Sequence, residues 1–178
     1  KVNQKEYWNN FYNNFKIKKP SNFARFFLKK IRRKSSIIAD IGSGNGRDSF
    51  YFIKKKYTTI SIDSCKKTIV ENQKSNIGNF YLIDFCSKKI KNNIFLKRKK
   101  VHYIYARFFI HTINDYDEKI FFKNAIWFLK KKGQIFLEFR STKDPLMKKG
   151  KKISIYERLT SHYRRFINVD HFIKRARD

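Results

Sequence analysis

The chain has 178 residues, 41% of them hydrophobic and 17% aromatic, which is enough apolar material for one sizeable core and too much for a disordered segment. Its 43 Lys and Arg against 14 Asp and Glu give a formal net charge of +29, but the lysines are spread through nearly every segment alongside many Asn, Ile and Phe; AT-biased codon use and solvated faces account for them before a nucleic-acid partner does. No apolar run approaches the ~18 residues of a membrane span, no signal peptide is visible, and neither Cys65 nor Cys86 has metal-ligand or redox spacing, so a reduced, cytoplasmic protein with inert thiols and no metal is expected.

In chain order, the aromatic cluster Glu6-Tyr7-Trp8-Asn9-Asn10-Phe11-Tyr12 precedes the first clear helix. Pro20 and Ser21 punctuate the chain, with Ser21 as N-cap, and Phe23, Ala24, Phe27, Leu28 and Ile31 follow at helical spacing, leaving Arg25 and Lys29 off the stripe. Residues 36–41 read as a short buried strand that runs into three glycines at alternate positions, Gly42, Gly44 and Gly46. A helix over 47–56 should turn Phe50, Ile53 and Tyr57 to the sheet, with Asp48 in its first turn facing the helix dipole. A second strand, 58–63, ends at Asp63, and Ser64 caps a helix through Glu71.

The third strand, 80–83, ends at Asp84-Phe85, and a lysine-rich connection with a short amphipathic piece (Ile90, Ile94, Phe95, Leu96) leads to a fourth, 101–106. A loop over 107–114 precedes a helix beginning at Asp115 with Ile120, Phe121, Ala125, Phe128 and Leu129 on one side and Gly133 as C-cap. The fifth strand is 134–139, residues 140–152 are loop, 163–167 reads as a sixth strand, and a last helix starts at Asp170.

Strands alternating with helices predict a doubly wound α/β fold with a mostly parallel sheet, in one domain over 1–178: a helical cap over 1–34 and an α/β core over 36–178. In such sheets ligands sit at the carboxyl ends of the strands near the switch in strand order. That rule gathers Asp40, the glycine turn, Asp63, Asp84, Arg107 and Arg140 on one rim.

The glycine spacing excludes one ligand class. A dinucleotide fingerprint, Gly-x-Gly-x-x-Gly, would need glycine at position 47, which holds Arg47. What remains is Asp-x-Gly-x-Gly-x-Gly from Asp40, followed by a second strand-end acid, Asp63, a little over twenty residues on. In these markers the chain resembles the class I methyltransferases that use S-adenosylmethionine (SAM). It looks closest to the small-molecule branch of tellurite-resistance, thiopurine and surface-polysaccharide-cluster methyltransferases. That closer likeness rests on Tyr7-Trp8, on Gly44-Asn45-Gly46-Arg47-Asp48-Ser49, on Arg107-Phe108-Phe109-Ile110-His111 and on His162-Tyr163-Arg164-Arg165-Phe166.

The resemblance implies SAM as cofactor on a Rossmann-like fold. Asp40, Gly42, Ser43, Gly44, Asn45 and Gly46 would face its amino-acid end, and Asp63 with Ser64 its ribose. Asp84 would accept from the adenine amino group, or simply turn the chain at a strand end, and Phe85 would stack on the ring. Tyr7, Trp8 and Arg25 would cover the cofactor, with Arg25 pairing its carboxylate; simple packing of the first helix is the other reading of Tyr7-Trp8. Arg107 borders both cofactor and acceptor, and Arg47 either contacts ligand or faces solvent. The family's sheet has a seventh, antiparallel strand for which no sequence remains, so truncation at the C-terminus is expected, as it is at a start that lacks methionine.

Methyl transfer needs an acceptor aligned about 3 Å from an already activated methyl, and a general base only if the acceptor must lose a proton. His111 and His162 are the candidate bases or structural histidines, with Arg107 beside them. The chain lacks the Asn/Asp-Pro-Pro-aromatic stretch of amino-methylating enzymes after the fourth strand, and neither cysteine follows a proline as in cytosine C5 enzymes. Arg107, Arg140, Arg164, Arg165, His111, His162 and Tyr163 suit an anionic acceptor, small or glycan-linked, methylated on oxygen. Two alternatives stay open: an RNA methyltransferase holding substrate on its lysines, and a polybasic nucleic-acid-binding module on the same fold without catalysis.

Overall fold

A computed structural model describes residues 4–14, 17–31 and 35–177. Its centre is a sheet of β1 (Ile37–Ile41), β2 (Thr58–Asp63), β3 (Asn79–Leu82), β4 (Val101–Arg107) and β5 (Leu129–Glu138), in the order β3-β2-β1-β4-β5 with every pairing parallel. The order reverses between β1 and β4, and that switch opens a crevice at their carboxyl ends. The helices are α1 (Gln4–Asn14), α2 (Asn22–Lys30), α3 (Arg47–Lys54), α4 (Lys66–Gln73), α5 (Ile94–Lys97), α6 (Asp115–Phe128) and α7 (Val169–Arg177). A second, antiparallel sheet is built from β6 (Lys151–Lys152), β7 (Glu157–Leu159) and β8 (Tyr163–Arg165).

Strand alternation sends successive side chains to two cores. Ile38 and Tyr105 join Ala24, Phe27, Ile31 and Phe52 under α2 and α3. Ala39, Ile41, Ile104 and Ala106 face the larger core with Phe85, Leu96, Phe121, Ala125 and Phe128. Buried on both faces, the central strands β1 and β2 read as apolar runs that end at glycine or aspartate.

Three buried polar groups join the layers. Asp48, at the start of α3, accepts the backbone N–H and the hydroxyl of Ser21, both at 2.7 Å, and the Tyr105 hydroxyl at 2.7 Å. Ser21 in turn caps α2 through the Ala24 N–H at 3.0 Å. A carboxylate expected only to face its own helix dipole therefore fixes the start of α2 against α3 and β4.

The structure corrects several sequence expectations. The aromatic cluster is itself a helix, α1. In α3 Phe52, with Asp48 and Ser49, is buried against β1 and β4, while half-buried Phe50 faces the sheet as expected, packing on Phe80 of β3 with ring centroids 5.1 Å apart. Cys65, not Ser64, is the N-cap of α4. Helix α6 stops at Phe128, and Gly133 lies inside β5 at the end of a four-residue excursion: Val101 pairs with Leu129, then Tyr103 with Gln134. Finally, β8 does not extend the main sheet. It pairs with β7, a few residues upstream, since closing a short hairpin costs less chain entropy than reaching a distant edge. Only Ile167 makes a parallel bridge back, to Ser141.

The hairpin is tied down by charge. Arg165 is buried and pairs with buried Glu118 and with Asp115 on α6, while Glu118 also accepts from Arg175 of α7 at 2.9 Å. Arg165, expected on the acceptor side, is therefore a structural ion-pair partner.

Candidate active site

The turn after β1 takes its shape from left-handed backbone at Gly42 (φ 73°), Gly44 (φ 52°) and Gly46 (φ 73°), which only glycine adopts without strain. It is strapped to the end of β2. Gly42 and Ser43 donate to the Ile62 carbonyl at 2.8 and 3.2 Å, and the Gly44 N–H donates to Asp63 Oδ2 at 2.8 Å. Asp63 Oδ1 accepts the Cys65 N–H at 2.7 Å. Burial pushes the Asp63 carboxyl upward, and the N–H groups of Cys65, Gly44 and Ser64 oppose that shift. Asp40, at the end of β1, accepts from Ser49 at 2.5 Å, and Ser61 donates to Ser49 at 2.8 Å. Burial raises the Asp40 carboxyl to about 8, the Ser49 bond pulling the other way.

A cleft of about 820 Å³ opens over this rim. Asp40, Gly42, Ser43, Asn45, Asp63, Ser64, Asp84 and Phe85 line one side; Arg107, His111, Arg140, His162, Tyr163 and Arg164 line the other. Helix α1 closes the top with Tyr7, Trp8 and Tyr12. Gly44 and Gly46 lie beneath the surface: a Cβ on Gly44 would stand 2.2 Å from the Tyr12 hydroxyl, and one on Gly46 would meet Phe50 at 2.8 Å. Phe85 borders the cleft but is buried against Phe121, ring centroids 5.6 Å apart. Arg47 lines the cleft and lies 3.6 Å from Asp48. Arg25, too, departs from expectation. It is exposed on α2 and does not line the cleft, because Ala24 and Phe27 take the inward face of that helix.

The far side of the cleft is cationic and aromatic. Arg107 Nε lies 2.5 Å from Glu138, and Arg140 pairs with Asp144 at 2.7 Å. The Phe108 ring sits between their guanidinium groups, 4.1 Å from that of Arg107 and 5.1 Å from that of Arg140. Phe108 is held at φ 54°, costly for an aromatic residue, and its N–H donates to the Glu138 carbonyl at 2.7 Å. Arg164 differs from its neighbours: it donates to Thr160 Oγ1 at 2.5 Å, and among the described residues no carboxylate lies within 4.0 Å of it. Burial and nearby Arg140 lower its pKa.

Both cleft histidines are buried. Burial, with Arg140 next, pushes His111 down to about 3; burial and Arg164 push His162 down to about 4. His111 Nδ1 accepts the Arg140 N–H at 3.4 Å, so its neutral ring carries the proton on Nε2. His162 stacks on Tyr7 (centroids 4.2 Å apart) and packs near Trp8, which joins α1 to the hairpin across the cleft. Sequence reasoning missed Tyr12, Phe108 and Glu157. Tyr12 stands four residues after Trp8, a helical spacing that would have revealed it had the stretch been read as a helix. Phe108 lies within the Arg107-to-His111 stretch, but no role for its ring follows from that; nothing local marks Glu157, whose carboxylate the Tyr163 hydroxyl contacts.

Neither a family model nor a curated protein matches the sequence. Solved structures do match the fold. The glycopeptide N-methyltransferase MtfA, solved with S-adenosylhomocysteine, is 12% identical and covers 85% of this chain and 75% of its own, with a TM-score of 0.65. Phosphoethanolamine N-methyltransferase 1 of Haemonchus contortus, solved with phosphoethanolamine and S-adenosylhomocysteine, is 17% identical over 97% of this chain, with a TM-score of 0.69. This chain spans 39% of that enzyme's length. A TehB-like SAM-dependent methyltransferase of Corynebacterium glutamicum is 17% identical over 67% of this chain and 62% of its own, at 0.57. The chain thus has the Rossmann-like α/β fold that class I SAM-dependent methyltransferases share.

Proposed function

We propose that this protein transfers a methyl group from SAM to an anionic acceptor, small or glycan-linked. One observation carries the reading. At the switch point of a methyltransferase-type sheet, Asp63 is braced by two backbone N–H groups beside a left-handed glycine turn, under a cleft of about 820 Å³. The residues fit the cofactor: Asp63 keeps lone pairs for ribose hydroxyls, exposed Asp84 stands at the adenine end, and Asp40 lies where a positive charge would be welcome. When bound, SAM supplies an activated methyl on a sulfonium.

The protein's own part is to orient, to exclude water and to hold the acceptor. Tyr7, Trp8 and Tyr12 shield the cleft from above. Burial raises the Tyr12 phenol, which therefore stays neutral. With Nδ1 engaged, His111 acts as a hydrogen-bond donor through Nε2 rather than as a base. His162, pushed down to about 4 and with Nδ1 beside the Ser161 hydroxyl at 3.2 Å, is a weak base that stays neutral and serves to orient the acceptor. Arg164, without a carboxylate partner, is the anchor for the acceptor's anion, with Arg140 behind it. Six acidic side chains also line the cleft, which weighs against a polyphosphate backbone lying along it.

Two outcomes follow. Arg164→Gln should raise the KM for a phosphorylated sugar acceptor by about ten- to a hundredfold, the worth of a charged hydrogen bond, with SAM affinity unchanged in calorimetry. If phosphorylated sugars and simple anions neither bind nor slow turnover, the acceptor class is wrong. The second concerns pH. With its carboxyl raised to about 8, Asp40 holds its proton in the free protein at lower pH, and a bound cation favours the carboxylate. SAM binding should therefore release a proton and tighten as pH rises, levelling off above about 8, at most tenfold per unit. Calorimetry in buffers of different ionisation heat reads that proton directly. A flat affinity below about pH 8 would move the cofactor's charge away from Asp40.

A further inference from the structure

Away from the cleft, two segments repeat one pattern where β4 and β5 begin. The first runs Ile94-Phe95-Leu96-Lys97-Arg98-Lys99-Lys100 and the second Ile126-Trp127-Phe128-Leu129-Lys130-Lys131-Lys132. In each, a fully buried side chain, Leu96 or Phe128, roots the segment in the core. Its apolar neighbours face water: Ile94 is 77% exposed, Phe95 59% and Ile126 71%. Because Val101 pairs with Leu129, the two basic runs lie side by side. Lys100 joins them, with its ammonium 5.0 Å from the Trp127 ring centroid and a hydrogen bond to the Trp127 carbonyl. Lys99 lies over Tyr81 at 5.6 Å, and the Tyr81 ring packs against Phe95 at 5.7 Å.

Neither segment contains an acid, and among the described residues no ion pair reaches any of these seven basic side chains. Six of the chain's 14 acidic residues line the cleft at the opposite ends of the strands. In the cleft those acids stand among Arg47, Arg107, Arg140 and Arg164, whereas the two basic runs hold no acid, so unopposed positive charge collects where β4 and β5 begin. Solvated lysines alone need no partner, but exposed isoleucine and phenylalanine set among them form a mixed apolar and cationic surface.

We propose that this face docks on an anionic lipid bilayer, with Ile94, Phe95 and Ile126 entering the headgroup layer and the lysines lying over acidic lipids. An apolar patch ringed by lysine is what an interfacial site requires, and charge complementarity selects the anionic leaflet. Nucleic acid suits the face less well. Isoleucine neither stacks on bases nor hydrogen-bonds to them, and the patch holds lysine almost without arginine. The cleft, at the other end of the strands, would stay open to solvent. This inference is independent of the methyltransferase reading.

The test is co-sedimentation of the full chain with vesicles of phosphatidylcholine, with and without phosphatidylserine. Binding should require phosphatidylserine and weaken with salt. Lys97→Gln with Lys99→Gln and Lys131→Gln should lower partitioning about a hundredfold, each basic residue contributing about fivefold. Ile94→Ser with Phe95→Ser should lower it at least about tenfold, whereas Lys18→Gln with Lys19→Gln and Lys29→Gln, the same charge removed elsewhere, should have a much smaller effect. Circular dichroism verifies that each variant folds; every replaced side chain is exposed except Lys99, which is half-buried. The proposal is overturned if the protein does not bind the vesicles, if the apolar pair is irrelevant, or if the scattered triple variant is equally weakened. It is also overturned if polyuridylate displaces the protein through the same lysines while Phe95→Ser leaves that RNA binding intact.

Discussion

Glu118→Ala should lower the unfolding free energy by about 3–5 kcal/mol, the cost of leaving a buried charge without its partner. Glu118 is buried, and its two oxygens serve Arg165 of β8 and Arg175 of α7. Without it, Arg165 keeps the Ile110 carbonyl at 3.4 Å and Asp115, whose exposed side chain is screened by water. Urea denaturation reads the loss directly. Glu118→Leu combined with Arg165→Met should recover most of it, because removing both charges abolishes the desolvation cost as well as the attraction. Since Arg164 adjoins Arg165, the single variant should also disturb acceptor handling more than SAM affinity. A loss below about 1 kcal/mol would mean that water reaches the pair.

Asp63→Ala should weaken SAM binding about a hundredfold, roughly 2.7 kcal/mol, in calorimetry. The variant removes two acceptors at once: Gly44 and Cys65 lose the carboxylate that orients their N–H groups at 2.8 and 2.7 Å. The glycine turn then loses one strap to β2, and the ribose hydroxyls lose their acceptor. Asp63→Asn keeps a single carbonyl oxygen and should fall between, about tenfold weaker than the parent. Affinity equal to that of the parent in Asp63→Ala would take the cofactor off this rim.

β1 and β2 were legible in the sequence because a parallel strand buried on both faces appears as an apolar run stopped by glycine or aspartate, and β3 and β4 by their short apolar, aromatic runs alone. The rule that ligands gather at the carboxyl ends then placed Asp40, Asp63 and Asp84 beside one cleft without knowledge of any contact. What stayed hidden depends on distance or on competition between signals. Asp48 and Ser21 stand 27 residues apart, and no local pattern pairs them. Gly133 looked like a helix terminator, yet the helix had already ended at Phe128 and the glycine accommodates the excursion in β5. Arg25 failed as a cleft residue for a reason the apolar stripe itself contained: with Ala24 and Phe27 inward, position 25 points out.

The hairpin suggests how the two halves of the cleft can diverge. Arg140, His162, Tyr163 and Arg164 all come from one uninterrupted stretch after β5, whose ends are brought together by the Ser141–Ile167 bridge and which the Glu118 ion network ties to α6. Asp40, the glycine turn, Asp63 and Asp84 come entirely from upstream. Evolution or an engineer could therefore graft a different loop between those two anchors and redirect recognition, while the upstream machinery is inherited unchanged.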